Sequence, residues 1–472
     1  MTKAIIGALR RRWPEPGSLR ERRLAQGLAV LLVLLCVNAK VIQYYTFDLG
    51  TYDTTIYANL VWNTVFGEFY HSSVLNRMHM GEHFSPVMFL FVPLYWIQPT
   101  ALWLVAVQGL AVGIYYLLLI PLARRILSPD LAANRGVLAF VILLGIFSKP
   151  LNSALMFDFH PSTLTAPLIV LALIALHDRR DLTFWGCFAA ICLCKENGAL
   201  AGLSLGLYAG FVLGRWRMML LVAGVSAIAA AVVFKVVMPT FQDESWGHLD
   251  RIGPMDLPLK KLEYLGLLLV VSAGLPLFAW RALIPVLPLI GLNLSVNYFR
   301  QLNMGYHYDD MSGVFLMAAV IHGLNRALPL VRSELPRAWL PAMAMTVLML
   351  NLGMLSHRSI TGIIMDFPNP KELALWHELQ RYRPDSRTGI LAFDPITPSL
   401  MNRARVQRLP SYVDVNDLPD EVARLQPGDL AMSSQIWQSD RHDLFVRLLD
   451  ADPRLKRVRE TDLLIVYERL PD

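Results

Sequence analysis

Two aspartates lie close together in the segment FDLGTYD, a few residues after the first long apolar run of the chain. Asp48 and Asp53 are therefore expected at a membrane surface rather than far out in solvent. A carboxylate there can act as a general base toward an acceptor hydroxyl, or can ligate a divalent cation. For either residue the alternative is a helix cap, because the residues from Asp53 onward can form an interfacial helix. The sequence leaves open which of the two would be the base.

Histidines occur in two similar segments, HFSP and DFHP, which contain His83 and the pair Asp158 and His160. In each segment a histidine shortly precedes a proline that opens an apolar run. A histidine at that place can transfer a proton, bind phosphate as a cation or ligate a metal. The alternative is an interfacial histidine whose ring is satisfied by backbone carbonyls. Two histidines at matching depth favour a shared function.

Lys195 and Glu196 are the only charged residues between Phe184 and Leu213. Charged groups flanked by apolar runs are costly in a membrane and normally face the protein interior or a watery cavity. A lysine in such a place suits the phosphate of a lipid carrier, with Glu196 as its partner. The alternative is a plain loop between two short helices.

The segment NYFRQLNMGYHYDD, residues 297–310, contains three further candidates for binding a substrate: Arg300, His307 and Asp309. The arginine offers a cation for phosphate, and the other two offer an imidazole and a carboxylate. Tyrosines are common at membrane interfaces and carry little weight here. A solvated loop is the alternative interpretation of the segment.

The composition indicates that membrane helices position these residues. Of the 472 residues, 55% are hydrophobic and 17% are charged, and the apolar runs are about 15 to 20 residues long, as a membrane span requires. A single span must be helical, because lipid offers the backbone no hydrogen-bond partner. The four cysteines all lie within apolar runs, which favours free thiols over disulfides or zinc ligands: Cys36, Cys187, Cys192 and Cys194.

An arginine-rich N-terminus, residues 1–23, precedes an apolar run from Leu24 to about Ile42. This run resembles an uncleaved signal anchor with its N-terminus in the cytoplasm, so it delivers residues 44–86 to the outer face. The segment from Val87 to Ile97 is short and is expected to be re-entrant or interfacial. Counting onward to a last run, Trp339 to Leu355, the sequence predicts about eleven spans.

The charges of the loops support this topology, because the two signs separate onto opposite faces. The net charge of +6 thus reflects the positive-inside rule rather than binding of nucleic acid. The arginines expected on the cytoplasmic face are Arg124, Arg125, Arg179, Arg180, Arg215, Arg217, Arg326, Arg332 and Arg337. The acidic residues and histidines expected on the outer face are Asp48, His83, Asp158, His160, Glu196, Asp309 and Asp310.

The C-terminal residues, 357–472, differ in composition from the membrane part, residues 24–356. Charges become frequent, and strand-like segments GILAFD, DLAMSS and DLLIVYERL flank a helix-like DRHDLFVRLLD. This alternation predicts a small α/β domain outside the membrane. The expected fold is therefore an all-α polytopic membrane protein of about eleven transmembrane helices with a small extracytoplasmic α/β domain at its C-terminus.

Several motifs are absent from the sequence. It contains no Walker A loop, no Rossmann glycine fingerprint after a strand and no H-E-x-x-H. Charged residues within the apolar runs are few, which disfavours an ion or proton pathway through the membrane.

The sequence resembles the GT-C glycosyltransferase superfamily and, more narrowly, a bacterial family of uncharacterised polytopic proteins related to it. The similarity covers about residues 24–310 and rests on these segments: FDLGTYD, WN at 62–63, HSS at 71–73, HFSP at 83–86, DFHP at 158–161 and KEN at 195–197. The resemblance implies a catalytic aspartate in the first outer loop, either Asp48 or Asp53. FDLGTYD lacks the adjacent Asp-Glu pair of several relatives, which leaves open both that choice and a requirement for a divalent cation.

The same resemblance implies a polyprenyl-phosphate sugar as the donor, with Lys195, Arg300 and His83 holding its phosphate. A glycan, a lipid or a protein would accept the sugar at the periplasmic face of the bacterial inner (plasma) membrane. Two other functions remain open at this stage. They are a flippase or transporter of lipid-linked sugars, and a non-catalytic component of an envelope polysaccharide assembly system. Alanine at both aspartates would separate them, because a scaffold should tolerate it and an enzyme should not.

Overall fold

The computed structural model describes residues 19–49, 51–242, 257–334, 366–383, 385–409, 418–437 and 440–471. The chain is mostly helical, and its C-terminal part contains a small sheet. The α-helices before the C-terminal part are α1 (Leu19–Tyr45), α2 (Thr51–Phe66), α3 (His79–Glu82), α4 (Val92–Ile97), α5 (Leu102–Ile126), α6 (Pro129–Ala133), α7 (Arg135–Ile146), α8 (Lys149–Met156), α9 (Thr165–Asp178), α10 (Asp181–Cys194), α11 (Gly198–Leu207), α12 (Trp216–Val232), α13 (Met238–Thr240), α14 (Pro258–Val271), α15 (Leu287–Ser295) and α16 (Asp310–Glu334).

Among the described residues, five helical segments are long and apolar enough to cross a membrane, or up to seven if each of two bent helix pairs counts as one span. The five are Arg23–Tyr45, Leu102–Ile126, Pro161–Asp178, Trp216–Thr240 and His307–Leu330. The bent pairs are Arg135–Ile146 with Lys149–Met156, and Pro258–Val271 with Leu275–Ala282. The chain is thus a membrane protein with several candidate spans.

The described residues also contain four shorter apolar helices: Pro86–Ile97, Asp181–Cys194, Gly198–Val212 and Ile284–Ser295. A helix of 14 residues, such as α10, is about 21 Å long, which is less than a hydrocarbon core of about 30 Å. The count of about eleven spans therefore stays a prediction. The expected last run, Trp339 to Leu355, lies outside the described residues.

Helices α1 and α5 approach each other closely at two glycines of α5. A Cβ atom on Gly109 would lie 2.7 Å from the carbonyl oxygen of Cys36, and one on Gly113 would lie 2.9 Å from Cα of Val33. Small residues at contacts between membrane helices allow such backbone approach. This contact sets the position of α1, which carries Lys40 toward the site described below.

The segment between α1 and α5 folds into helix α2, a short hairpin of β1 (His71–Ser72) and β2 (Arg77–Met78), helix α3, a 3-10 turn over Pro86–Phe91 and helix α4. Large apolar side chains on the last two elements are exposed: Leu90 at 72%, Trp96 at 68% and Ile97 at 77%. The re-entrant or interfacial placement of Val87 to Ile97 stays a prediction.

The C-terminal part is a five-stranded mixed sheet with helices. Its strands are β3 (Ile390–Phe393), β4 (Val406–Leu409), β5 (Leu430–Ser434), β6 (Leu455–Glu460) and β7 (Leu464–Arg469), in the order β4-β3-β5-β7-β6. β3 is parallel to β4 and β5, and β7 is antiparallel to β5 and β6. The helices are α17 (Pro370–Leu379), α18 (Leu418–Ala423) and α19 (Asp440–Ala451). The sequence predicted β3, β5, α19 and β7 but missed both edge strands.

The C-terminal part packs against the segment between α1 and α5. The side-chain amide of Asn59 in α2 donates to the carbonyls of Met401 and Arg403, at 3.3 Å and 2.9 Å. The hydroxyl of Ser73 accepts from the backbone N–H of Val406 at 2.9 Å. Helix α2 is thereby held on one side by the sheet domain. The domain boundaries at 23/24 and 356/357 stay predictions.

Gly109→Ala should destabilise the fold, because the new methyl group would meet the backbone of α1 and push the two helices apart. We expect a loss of about 1–3 kcal/mol even though alanine is the better helix former. Gly224→Ala in α12 is the matched control, since a Cβ atom there meets nothing within 4 Å. Thermal unfolding of the detergent-solubilised chains should show a lower Tm for Gly109→Ala alone, and equal Tm values would contradict the close contact.

Candidate functional site

The buried carboxylate of Asp158 joins the DFHP segment to the start of helix α2. It accepts the backbone N–H of Asp53 at 2.7 Å, the backbone N–H of Phe159 at 3.1 Å and the hydroxyl of Thr54. The first N–H groups of a helix lack partners within the helix, so a carboxylate there satisfies them. Burial raises the pKa of Asp158, and the hydrogen bond from Thr54 and the charge of Lys40 oppose that rise.

Helix α1 contributes two polar side chains to the same junction. Lys40 is fully buried, and its Nζ donates to the carbonyl of Phe157 at 2.6 Å. Gln43 donates from Nε2 to the carbonyl of Met156 at 3.0 Å. Both bonds fix the backbone just before Asp158. The sequence-based reasoning missed Lys40, although a lysine within an apolar run is itself a signal of a buried partner.

His160 is held in one tautomer by its neighbours. Its Nδ1 lies 2.9 Å from the hydroxyl oxygen of Ser162, and that hydroxyl donates to Asp310. The serine oxygen must therefore accept from His160 Nδ1–H, which leaves Nε2 as an acceptor, 3.1 Å from Nζ of Lys195. Burial, followed by the charges of His307 and Lys195, lowers the pKa of His160 and keeps its ring neutral.

His307 stacks on His160, with ring centroids 3.7 Å apart and planes at 20°. The carboxylate of Asp53 lies at the same place. One ligand atom from each of Asp53, His160 and His307 lies within 4.8 Å of the other two. Residues more than a hundred positions apart in the chain thus meet at one buried point, and these three side chains could hold a metal ion.

His83 and Glu196 form a second pair beside this cluster, with Nδ1 of His83 2.9 Å from Oε1 of Glu196. Burial alone would raise the pKa of Glu196, but the charge and hydrogen bond of His83 and the charge of Lys195 lower it to about 2. Glu196 is therefore ionised. The ring of Tyr57 lies edge-on to His160 at 5.9 Å, and it helps to enclose the cluster.

A small cavity of about 20 Å³ opens beside Lys195 and His307. Its other lining residues are Ser162, Asn197, Leu289, Leu292, Asn293, Gln301, Tyr308, Asp310 and Met311. The cationic side chain of Lys195 and the ring of His307 thus share one polar pocket at the ends of several helices.

Three of the predicted site residues lie outside the cluster of Asp53, His160 and His307: Asp309, Arg300 and Asp48. Asp309 accepts hydrogen bonds from Tyr264, Asn293 and Ser312, which tie α14, α15 and α16 together. The guanidinium of Arg300 lies over aromatic rings, 5.8 Å from the centroid of Phe299 and 5.8 Å from that of Tyr306. These contacts are those of a network that holds helices and a loop together.

Asp48 is the third of these residues. Its backbone N–H donates to the carbonyl of Gln43 at 3.0 Å, and its carboxylate lies within electrostatic range of Lys40 and Glu372. Of the two aspartates in FDLGTYD, Asp53 is the one whose carboxylate lies beside both His160 and His307. The sequence left open whether Asp48 or Asp53 lies in the site. In the structure, the carboxylate of Asp53 lies in the cluster and that of Asp48 does not.

The reasoning from sequence also missed Ser162, Asp310 as its acceptor, and Gln108. Gln108 lies within an apolar run, accepts the backbone N–H of His160 at 3.2 Å and donates to the carbonyl of Ala154 at 2.9 Å. A polar side chain inside a predicted span could have indicated it. Ser162 offered no such signal, because serine follows proline in many loops.

A family model described as "Predicted membrane protein (DUF2079)" matches residues 43–443. The chain belongs to this family. Among solved structures, this DUF2079 member is similar to ArnT from Cupriavidus metallidurans, a GT-C glycosyltransferase, in its apo state and bound to undecaprenyl phosphate. The apo form aligns at a TM-score of 0.52 and 16% identity, and the bound form at 0.50 and 15%. Each comparison covers 94% of this chain and 98% of the other.

The family match confirms the expected membership of a membrane-protein family, and the two ArnT structures have a similar fold. At such low identity they show a shared fold. A comparison with curated protein sequences finds no match for the DUF2079 chain.

Glu196→Gln should remove an acid-dependent part of the stability. Because the folded pKa of about 2 lies below the ordinary 4.5, the ionised form favours folding above about pH 4.5, and this contribution is lost as the pH falls toward 2. Thermal unfolding between about pH 6 and about pH 3 should show a shallower decline of Tm in the variant than in the wild type.

Glu263→Gln, at an exposed pair with Lys260, is the control and should keep the wild-type profile. Identical slopes for wild type and Glu196→Gln would contradict the buried ion pair with His83.

Proposed function

We propose that this protein is a membrane glycosyltransferase that transfers a sugar from a polyprenyl-phosphate donor to a glycan, lipid or protein acceptor. The observation that carries this function is the meeting of Asp53, His160, Lys195 and His307 in one buried cluster beside a polar cavity. A carboxylate and a cation at one point are what the removal of a proton and the departure of a phosphate require.

In the proposed step, the acceptor hydroxyl oxygen bonds to the anomeric carbon while the bond from that carbon to the phosphate oxygen breaks. The hydroxyl proton passes to the carboxylate of Asp53, and the bonding electron pair leaves with polyprenyl phosphate. Water then takes the proton from Asp53. Asp48 is the alternative base, since it follows the same span.

Lys195 is the proposed cation for the phosphate. Its Nζ borders the cavity, and a fixed positive charge in buried surroundings stabilises a developing phosphate charge more than it would in water. His83 is proposed to assist, held in place by Glu196. Asp158 and His160 position the base and the cation, whereas Arg300 and Asp309 are proposed to support the loop that carries His307.

The donor is proposed from the chemistry of the site together with the fold, since an ArnT structure with this fold contains undecaprenyl phosphate. The tail of such a donor would lie between apolar helices, and its phosphate would reach Lys195 at their polar ends. Membrane lipids surround the rest of the protein.

We further propose that the site faces the periplasm across the bacterial inner membrane, with the N-terminus in the cytoplasm. Helix α5 carries Gln108 near its start, beside His160, and Arg125 at its end, where it pairs with Asp178 at 2.6 Å. The arginine end would face the cytoplasm by the positive-inside rule, so the opposite end, with the cluster, would face the periplasm. The C-terminal domain would lie on that side.

Two other functions are separable from transfer by experiment. A flippase would move the lipid-linked sugar between leaflets without breaking its bond to phosphate. A non-catalytic component of polysaccharide assembly would tolerate loss of the carboxylates in FDLGTYD.

Asp53→Asn and Lys195→Met should each lower transfer by about 100-fold, because one removes the base and the other removes the cation at the leaving group. The measurement is release of polyprenyl phosphate by the purified chain in liposomes that contain polyprenyl-phosphate sugars and an envelope extract as the acceptor source. This product is the same for every acceptor.

Asp48→Asn tests the alternative base in the same assay, and Glu263→Gln on the exposed surface should retain wild-type release. Wild-type rates in Asp53→Asn, Asp48→Asn and Lys195→Met alike would overturn the proposed function. Movement of the intact donor between leaflets without release would favour the flippase.

A further inference from the structure

We infer that Phe47 is a positioning residue, whose ring couples the C-terminal domain to the segment FDLGTYD and so holds Asp53, the proposed base, in place. Phe47 is the first residue of that segment, but the proposed step gives it no role. The inference rests on the proposed function for Asp53. It assigns to the C-terminal domain a part in the transfer of the sugar.

The backbone of Phe47 is left-handed, with φ at 56°. The residue lies just after α1, where the N–H of Asp48 donates to the carbonyl of Gln43 at 3.0 Å and closes the end of the helix. Glycine is the usual residue at such a helix end, because a Cβ atom makes a left-handed backbone unfavourable. A phenylalanine at this position therefore requires a compensating interaction.

The ring of Phe47 supplies that interaction, because it packs in the core of the C-terminal domain. Phe47 is only 6% exposed, and its ring lies edge-on to that of Trp437, with centroids 5.3 Å apart and planes at 67°. The other buried members of this apolar cluster come from the C-terminal part and include Ile390 of β3, Met432 of β5 and Val466 of β7. Burial of an aromatic side chain of this size offsets the cost of the left-handed backbone.

The segment FDLGTYD is held at both of its ends. Phe47 fixes the first end to the C-terminal domain, and Asp158 fixes the other by accepting the backbone N–H of Asp53 at 2.7 Å. Two residues, 49 and 50, separate Asp48 from the start of α2. This connection is short, so we expect a movement of Phe47 to be passed on to α2.

The position of Asp53 is what transfer would depend on. Its carboxylate lies beside His160 and His307, with one possible ligand atom of each residue within 4.8 Å of the other two. A misplacement of about 1 Å in a reacting group can lower a rate by about 100-fold. Lys195, the proposed cation for the donor phosphate, follows α10 and does not depend on this segment. Loss of the ring should therefore affect kcat rather than KM for the donor.

Phe47→Gly separates a helix-ending role from an anchoring role. Glycine suits the left-handed backbone and keeps the end of α1, but it removes the ring. In the liposome assay with polyprenyl-phosphate sugars, we expect kcat for release of polyprenyl phosphate to fall by about tenfold at unchanged KM. Phe47→Leu restores a large apolar side chain and should recover most of the rate. A residue that only ended the helix would tolerate glycine.

Hydrogen exchange of the full chain in liposomes gives a second readout, which does not require transfer. The amides of residues 51–58 should exchange faster by about tenfold in Phe47→Gly than in the wild type. Trp437→Ala should have the same effect on residues 51–58, although it changes a side chain of the C-terminal domain. This variant also carries the test if Phe47→Gly elutes as an aggregate.

Phe367→Ala, which removes a ring that is 65% exposed, is the matched control and should keep wild-type exchange and release. Wild-type exchange at residues 51–58 in both Phe47→Gly and Trp437→Ala would overturn the inference, and so would a wild-type kcat in Phe47→Gly. If the wild type transfers no sugar but both variants exchange faster, the proposed function is overturned and the coupling through Phe47 stands.

Discussion

The buried carboxylate of Asp158 holds together the two parts of the chain on which the site depends. It accepts hydrogen bonds from the first turn of α2, while Lys40 fixes the carbonyl of the residue before it. A buried charge without such partners would cost several kcal/mol, so the junction is stable only when both segments are in place. The same contact places Asp53, which is one residue from Thr54. It also places His160, which is two residues from Asp158.

The polar groups of the membrane part differ in how many hydrogen-bond partners they have. Among those that connect helices, Asp309 accepts from three donors at one carboxylate oxygen, and Asp310 accepts from Ser162. The ring of His307 within the cluster has no partner among the described residues. Unsatisfied polar groups are expensive in low-dielectric surroundings, so a buried histidine ring in this state is compatible with a site that binds a ligand.

Helix α2 connects this cluster to the C-terminal domain because its two faces carry different residues. Asp53 and Tyr57, four positions apart, lie on the face toward the histidines, while Asn59 and Asn63 lie on another face. Asn59 is bound to the backbone at Met401 and Arg403. The small domain thus stabilises the helix that carries the candidate base, from outside the membrane part.

Local patterns of the sequence determined the class of the protein and much of its C-terminal sheet. A long apolar run indicates a membrane helix whatever the fold of the rest of the chain. The reason is that the lipid bilayer itself requires the run to be helical, without contacts to distant residues. Strands such as β3 and β5 were predictable from their apolar residues. The polar edge strand β6, with its mostly exposed side chains, carried no such pattern.

Only the tertiary structure decided which polar residues meet. From the sequence, Asp48 and Asp53 are equally good candidates for the base. Lys195 and Arg300 are likewise both candidates for binding the phosphate. Packing brings Asp53 to His160 and His307 and leaves Asp48 near Lys40 and Glu372. Hydropathy is a property of neighbours along the chain, whereas this convergence depends on contacts between residues more than a hundred positions apart.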